Sequence, residues 1–346
     1  MKTADFDYTL PPDRIAQEPL EPRDQARLLV VDRGTGALAH HRFTDLPDLL
    51  APGDLLVAND SRVIPARLYG QQDGRGGPVE VLLLRRDAEG RWEGLVRPGR
   101  RAPVGARLRF GDGDVAPVWG EVVDRTPAGT RWFRFSEEAA LLRLGQVPLP
   151  PYIHQTPADP ERYQTVYARV PGSAAAPTAG LHFTPHLITR LAARGIGMAF
   201  VTLHIGLDTF RPVQEHDPTQ HPIHREAIVV PEETARRINE TRAQGRRVVA
   251  VGTTVVRTLE QAARWSVQGP EAPLLQPAAG WADLFLLPGS TFRVVDAIIT
   301  NFHLPRSTLL MLVAAFAGRD LVLRAYQEAI AQEYRFYSFG DCCLLL

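Results

Sequence analysis

The pattern of apolar and polar positions changes twice along this chain. Up to about residue 62 the apolar positions form continuous runs: RLLVVD from Arg27 and LLVAND from Leu55 are apolar everywhere but at their ends, as strands buried on both faces are. From about Val63 to Phe135 the period becomes that of half-buried strands. ARLYG, PVEVLLLRR, RWEGLVRPG, ARLRFG, APVWGEVVD and GTRWFRF follow one another at spacings near ten residues, with glycine and aspartate turns and no helical period between them. Short, evenly spaced strands without helices predict a small antiparallel barrel. A helix over roughly 137–144 then ends at Gly145, and Pro148, Pro150 and Pro151 return the chain.

Beyond Thr184 helices and strands alternate. Thr184 is a good N-cap with Pro185 at the first helical position; Leu187, Ile188 and Leu191 form one apolar face, and Gly195 ends the helix. MAFVTLHIG reads as a buried strand, 231–243 as a helix stopped by Gly245, RRVVAVG as a strand, and GTTVVRTLEQAARW as a turn running straight into a helix. DLFLLPG and RVVDAIITNF are expected as strands, Ser307 caps STLLMLVAAFAG, Asp320 begins a last helix, and YRFYSFGDCCLLL closes as a strand. Near the start, 13–17 is expected as a short helical stretch. The fold class predicted is α/β: a larger, discontinuous α/β layer domain of residues 1–62 and 147–346, with a small antiparallel β-barrel domain of residues 63–146 inserted.

Composition adds little to the fold but narrows the chemistry. The 346 residues are 45% hydrophobic and 23% charged, ordinary for a soluble globular protein. No apolar run approaches a membrane span, and MKTADFDYTL places acids where a signal peptide carries cations, so a cytoplasmic chain is expected. The only cysteines, Cys342 and Cys343, are adjacent and read as part of a packed terminal strand. Lys2 is the only lysine, which excludes P-loop and Schiff-base lysine chemistry. Formal net charge is zero, yet Ser61 to Phe110 holds eleven arginines against five acidic residues. Such a segment suits phosphate contacts at Arg62, Arg67, Arg97 and Arg101, although solvated arginines would look the same.

Candidate chemistry gathers in the second half. Residues 147–184 begin rigid and aromatic and end in a run of small residues; Gly172 and Gly180 let backbone approach a ligand closely, and Pro171 and Pro177 stiffen the loop. Thr178 lies in the same run. Tyr152, Tyr163, Tyr167 and Phe183 can stack on a purine or fill a core. Gly252, Thr253 and Thr254 place free N–H groups and two hydroxyls at a helix N-terminus, suited to a carboxylate or phosphate, or simply to capping. His182, His204, His221, His224 and His303 lie at element ends or loops, where a neutral ring serves either as acid or base or as a structural hydrogen-bond partner. His221, His224 and Glu226 have metal-like spacing but lie in a proline-flanked loop without a cysteine, so no metal is expected. Asn301 and His303 fall between a strand and a capped helix, at the edge where open α/β sheets bind ligands.

Taken together, these motifs give the chain a close resemblance to the S-adenosylmethionine:tRNA ribosyltransferase-isomerase family of queuosine biosynthesis. DFDYTLPPDRIAQEPL, LLVANDSRVIPARL, PLPPYI, YQTVYA, GSAAAPTAGLHFT, VTLHIGLDTFRPV, HPIHREA, VAVGTTVVRTLE, TNFHLPRSTLLMLVAAFAG and YRFYSFGD correspond in kind and order over nearly the whole chain. It departs at NDSR, where NNTR is usual, at His154 and Gln155, where a pair with arginine is usual, at Asp208, a glycine position, and at the CCLLL terminus. The resemblance implies transfer and isomerisation of the ribose of S-adenosylmethionine onto 7-aminomethyl-7-deazaguanine at the tRNA wobble position, giving epoxyqueuosine and releasing adenine and methionine. S-adenosylmethionine is then a co-substrate and no separate cofactor is expected; the partner is tRNA, with no membrane, and the chain is expected to be a monomer. On this reading His182, His204 and Glu226 are acid/base candidates. Gly172, Thr178 and Gly180 hold the nucleoside, Asn301 and His303 are further substrate-binding candidates, Thr253 and Thr254 receive the methionine carboxylate or a phosphate, and the barrel contacts tRNA. Two other classes have distinct signatures: an RNA-binding protein using the barrel alone would not need the histidines, and a methyltransferase would carry a G-x-G strand-end fingerprint near the N-terminus, absent here.

Overall fold

The computed structural model describes residues 1–74, 76–87, 89–111, 116–155, 159–206, 212–266, 269 and 272–346. Asp208 and, in the arginine-rich segment, Arg75 lie outside them. Two compact units form. One comprises Met1–Ser61, Pro150–Val170 and Ala176–Leu346, the other Arg62–Leu149 and Pro171–Ala175. In chain order the strands are β1 (Arg27–Val31), β2 (Leu38–Arg42), β3 (Leu55–Asn59), β4 (Ser61–Val63), β5 (Arg67–Gln72), β6 (Pro78–Arg86), β7 (Trp92–Arg97), β8 (Arg107–Phe110), β9 (Val118–Arg125), β10 (Arg131–Phe135), β11 (Val170–Ser173), β12 (Gly197–Leu203), β13 (Glu226–Val230), β14 (Val248–Val251), β15 (Ala278–Ala282), β16 (Ala297–Asn301) and β17 (Cys342–Leu345). The helices are α1 (Leu46–Leu49), α2 (Glu138–Leu144), α3 (Pro185–Ala193), α4 (Glu232–Ala243), α5 (Thr253–Trp265), α6 (Thr308–Ala317) and α7 (Arg319–Ala331).

The first unit is built on a nine-stranded mixed sheet in the order β15-β13-β12-β3-β14-β16-β17-β1-β2. Its centre, β12-β3-β14-β16, is parallel, and antiparallel strands flank it on both sides. The continuous apolar runs have a direct cause: successive residues face opposite, equally buried sides. Leu55, Val57, Val248, Ala250 and Ile298 pack with α5, α6 and α7, whereas Leu56, Ala58, Val249, Val251 and Ile299 pack with Phe43, Phe183 and the Leu187–Leu191 face of α3. Three layers result. Because β12, β3, β14 and β16 run the same way, their C-terminal ends share one edge of the sheet, and Ile205, Gly252 and Asn301 lie there.

The second unit is a closed barrel in the order β10-β7-β6-β5-β8-β9, with every neighbouring pair antiparallel. Alternate residues such as Leu68, Val81, Leu83, Leu108, Phe110, Val122 and Phe133 fill its interior. The α/β layers and the antiparallel barrel are those predicted from the pattern.

Local expectations fail where tertiary pairing intervenes. Residues 13–17 form only the 3₁₀ turn Pro12–Arg14, because Ile15 bridges to Phe336 and the Ala16 N–H is bonded to the Phe336 carbonyl. DLFLLPG is not a strand. The partner of β13 is the preceding Ala278–Ala282, and the following residues turn to side chains: Asp283 N–H donates to Gln261 Oε1 and the Leu284 carbonyl accepts from Arg257 Nε. The terminal strand is confined to Cys342–Leu345, with both cysteines free and buried. Among the described residues no helix is long and apolar enough to cross a membrane.

Candidate active site

A cavity of about 620 Å³ opens at the C-terminal edge of the parallel strands. The turn from β14 into α5 contributes Gly252, Thr253 and Thr254; the end of β16 contributes Thr300, Asn301 and His303; the small-residue loop contributes Ala176 to Ala179. Gly252 adopts φ 96, a conformation a side chain would resist, and this turn starts α5 with N–H groups that have no preceding carbonyl of the helix to meet. Among the described residues, the buried Thr254 Oγ1 and Asn301 Oδ1 have no hydrogen-bond partner. Thr178 lines the same space.

Tyr152, Tyr337 and Ser338 complete the wall. Tyr152 and Tyr337 rings lie 4.8 Å apart, and Tyr152 OH is 2.8 Å from Ser338 Oγ. Tyr337 and Ser338 belong to the YRFYSFGD motif, read as part of a closing strand and not as site residues. They reach the site through the turn before β17, where Tyr337 takes φ 69, unusual for a non-glycine residue. The Tyr337 carbonyl accepts from Gly340 N–H, and a Cβ on Gly340 would lie 2.5 Å from the Arg335 carbonyl oxygen.

Burial keeps the site histidines neutral. His303 Nε2 is 2.8 Å from Thr300 Oγ1, and burial pushes its pKa down to about 3. His182 is likewise pushed down to about 4 by burial. Its ring packs on Phe43 and Nε2 lies 3.3 Å from Asn301 Nδ2, so it stands behind Asn301 and is not part of the cavity wall. His204 is half-buried, and its pKa is lowered by burial against an opposing pull from Asp60; Nδ1 has no partner among the described residues. Ile205 of the cavity wall follows it in the chain.

Glu226 lies at a second cavity of about 380 Å³, whose wall shares Thr253, Thr254 and Leu309 with the first. Burial alone would raise its pKa, but His224, Arg257 and the Gly206 N–H outweigh it and hold the carboxyl below its usual range. Its oxygens are engaged: Oε2 accepts from Arg257 Nη1 at 2.6 Å, while Oε1 accepts from Gly206 N–H at 3.0 Å and lies 3.3 Å from His224 Nε2. His221 pairs separately with Glu215 at 2.7 Å.

Gly180 answers differently from expectation. A Cβ at Gly180 would lie 2.1 Å from Tyr167 OH and 2.9 Å from Thr165 Cγ2, so this glycine is needed by the packed Tyr167 and not by open ligand space. Gly172 belongs to the second unit and has φ 139. Of the aromatic candidates, Tyr163 and Phe183 are fully buried core and Tyr152 lines the cavity. The arginine candidates all lie in the second unit: Arg67 is ion-paired with Glu80 at 3.2 Å, Arg101 Nη1 donates to the Pro78 carbonyl at 2.6 Å, Arg97 is exposed, and Arg62 opens the unit on β4.

A family model described as queuosine biosynthesis protein matches residues 3–345. The S-adenosylmethionine:tRNA ribosyltransferase-isomerases of Symbiobacterium thermophilum and Moorella thermoacetica are 56% and 55% identical to this chain, each alignment covering all of both proteins. Among solved structures, the S-adenosylmethionine tRNA ribosyltransferase of Thermotoga maritima is similar at 43% identity and a TM-score of 0.57, over 99% of this chain and 100% of that one.

Proposed function

The chain belongs to the S-adenosylmethionine:tRNA ribosyltransferase-isomerase family of queuosine biosynthesis, and from that premise we propose that the cavity at the ends of β14 and β16 binds S-adenosylmethionine as ribosyl donor. The acceptor is 7-aminomethyl-7-deazaguanine at the tRNA wobble position, and the products are epoxyqueuosine-tRNA, adenine and methionine. No separate cofactor takes part, because the donor is consumed.

One observation supports this reading most. A single cavity combines a helix N-terminus bearing two threonine hydroxyls, an aromatic pair and a buried carboxamide oxygen with no protein partner among the described residues. The first suits the methionine carboxylate, the second a purine face. The sulfonium acidifies the adjacent C5′ hydrogens, so the reaction needs a base that is neutral and unprotonated near pH 7. His204 has that state and a free Nδ1 among the described residues. Glu226 keeps its charge in the ion pair with Arg257 and orients His224 at the neighbouring cavity. His303 and Thr300 offer hydrogen bonds to the nucleoside, and the arginine-rich barrel carries the tRNA phosphates.

The test is adenine release on mixing the protein with S-adenosylmethionine and an anticodon stem carrying the deazaguanine amine, with unmodified stem as control. Stoichiometric adenine and methionine with an RNA heavier by the ribosyl group is the expected result. RNA binding without adenine release would overturn the assignment of chemistry to this chain. Replacing His204 with Ala should reduce turnover by about 10²-fold or more; a change of a few-fold would remove it as the base.

A further inference from the structure

Asn301 and His182 leave one hydrogen-bond acceptor unpaired in a residue of the cavity wall. Asn301 is 3% exposed at the end of β16, and its Nδ2 donates to the Tyr337 carbonyl at 3.0 Å. A carbonyl has no proton to give, so the amide nitrogen must face it and the amide oxygen must face elsewhere. The other Nδ2 proton meets His182 Nε2 at 3.3 Å. That ring nitrogen is therefore an acceptor, and the proton of the neutral ring sits on Nδ1. With both amide protons committed, Oδ1 remains buried and unpartnered among the described residues, in a residue that lines the cavity. Such an acceptor is costly while unpaired and favours a ligand that brings an N–H or O–H donor.

Its surroundings narrow the choice of donor. Tyr337, whose carbonyl holds the amide, also contributes its ring to the wall beside Tyr152. Ala176, Pro177 and Ala179 add small apolar surface. Aromatic faces, flat apolar wall and one unpaired acceptor suit a purine that carries an exocyclic amino group.

We infer that Asn301 Oδ1 recognises the C6 amino group of the donor's adenine, and that His182 is a positioning residue holding the Asn301 carboxamide with its oxygen toward the purine. This rests on the proposed binding of S-adenosylmethionine in this cavity. If the amide turned over, its oxygen would meet the Tyr337 carbonyl and the His182 Nε2 lone pair, acceptor against acceptor, and its nitrogen would meet the purine amine, donor against donor. The Tyr337 carbonyl prevents this, because it has no proton to give, and His182 adds to it in the tautomer that accepts at Nε2.

The test needs no variant at first. Wild-type protein is given S-adenosylmethionine, the analogue with hydrogen at purine C6, and the analogue with an oxo group there; donor binding is followed by calorimetry and base release by turnover with modified tRNA. The expected order is a loss of about 10-fold for the hydrogen analogue and about 100-fold for the oxo analogue, which sets acceptor against acceptor. In Asn301→Ala this discrimination should collapse to within about 3-fold. In His182→Ala it should narrow with KM rising more than kcat falls, and His182→Gln, which can still accept from Nδ2, should restore it. Equal use of the three donors by wild type, or unchanged discrimination in Asn301→Ala, overturns the inference while the transferase reading stands. Discrimination in binding without any base release sinks the transferase reading and leaves this one standing.

Discussion

Glu226 and Arg257 meet inside the first unit at 2.6 Å, at 4% and 8% exposure. Arg257 gives three further donors to the carbonyls of His224, Ala282 and Leu284, so one guanidinium ties β13 to the chain after β15. Removing the cation strands a buried carboxylate. Arg257→Ala should therefore lose about 3–5 kcal/mol of stability in urea unfolding. Glu226→Gln, which keeps a polar partner of the same shape, should lose less. Equal losses would show that the charge pairing does not matter.

Stability should fall as pH drops below neutrality. His182 and His303 have folded pKa values near 4 and 3, below the ordinary value near 6.5. The unfolded chain therefore takes up protons first on acidification, and stability is lost from about pH 6.5 downward, at no more than about 1.4 kcal/mol per pH unit for each ring. His303→Gln should flatten this slope between about pH 6.5 and 5. An unchanged slope would mean that the ring is not kept neutral by the fold.

Asp60 accepts from Arg169 Nε and Thr202 Oγ1, both at 2.6 Å, and its charge partly offsets the lowering of the His204 pKa by burial. Asp60→Asn removes that charge, so the His204 pKa should drop further. Titration of the His204 ring signals by NMR reads it directly, and a rise would contradict the arrangement.

Gly180 and Tyr167 should behave as a coupled pair. Gly180→Ala drives a Cβ against the Tyr167 hydroxyl and should cost about 1–3 kcal/mol. The hydroxyl has no partner among the described residues, so Tyr167→Phe in the same chain should recover much of the cost. Additive effects of the two changes would refute the contact.

Charge reversal at the exposed Arg97 should weaken tRNA binding and lower the salt slope by roughly one unit for each phosphate no longer neutralised, with S-adenosylmethionine binding unchanged. Arg101→Glu should also destabilise the barrel unit, because it breaks the bond to the Pro78 carbonyl. An unaltered slope for both would move the RNA-binding surface away from this stretch.

What the sequence determined by itself is what a residue and its near neighbours decide. Two-sided burial writes the central strands as continuous apolar runs, the half-buried barrel strands alternate, and Thr184 and Ser307 cap helices by bonding N–H groups three residues on. The long motifs were equally local, and they carried the family. Only the tertiary structure decided which side chains meet. Asn301 finds Tyr337 36 residues later and His182 119 residues earlier, because sheet order and chain return bring them to one edge. Tyr337 joins the site through a positive-φ turn, Gly180 proves to serve Tyr167, and Glu226 is committed to Arg257. Such pairings follow from the closing of long loops, on which the local periodicity of a chain has no bearing.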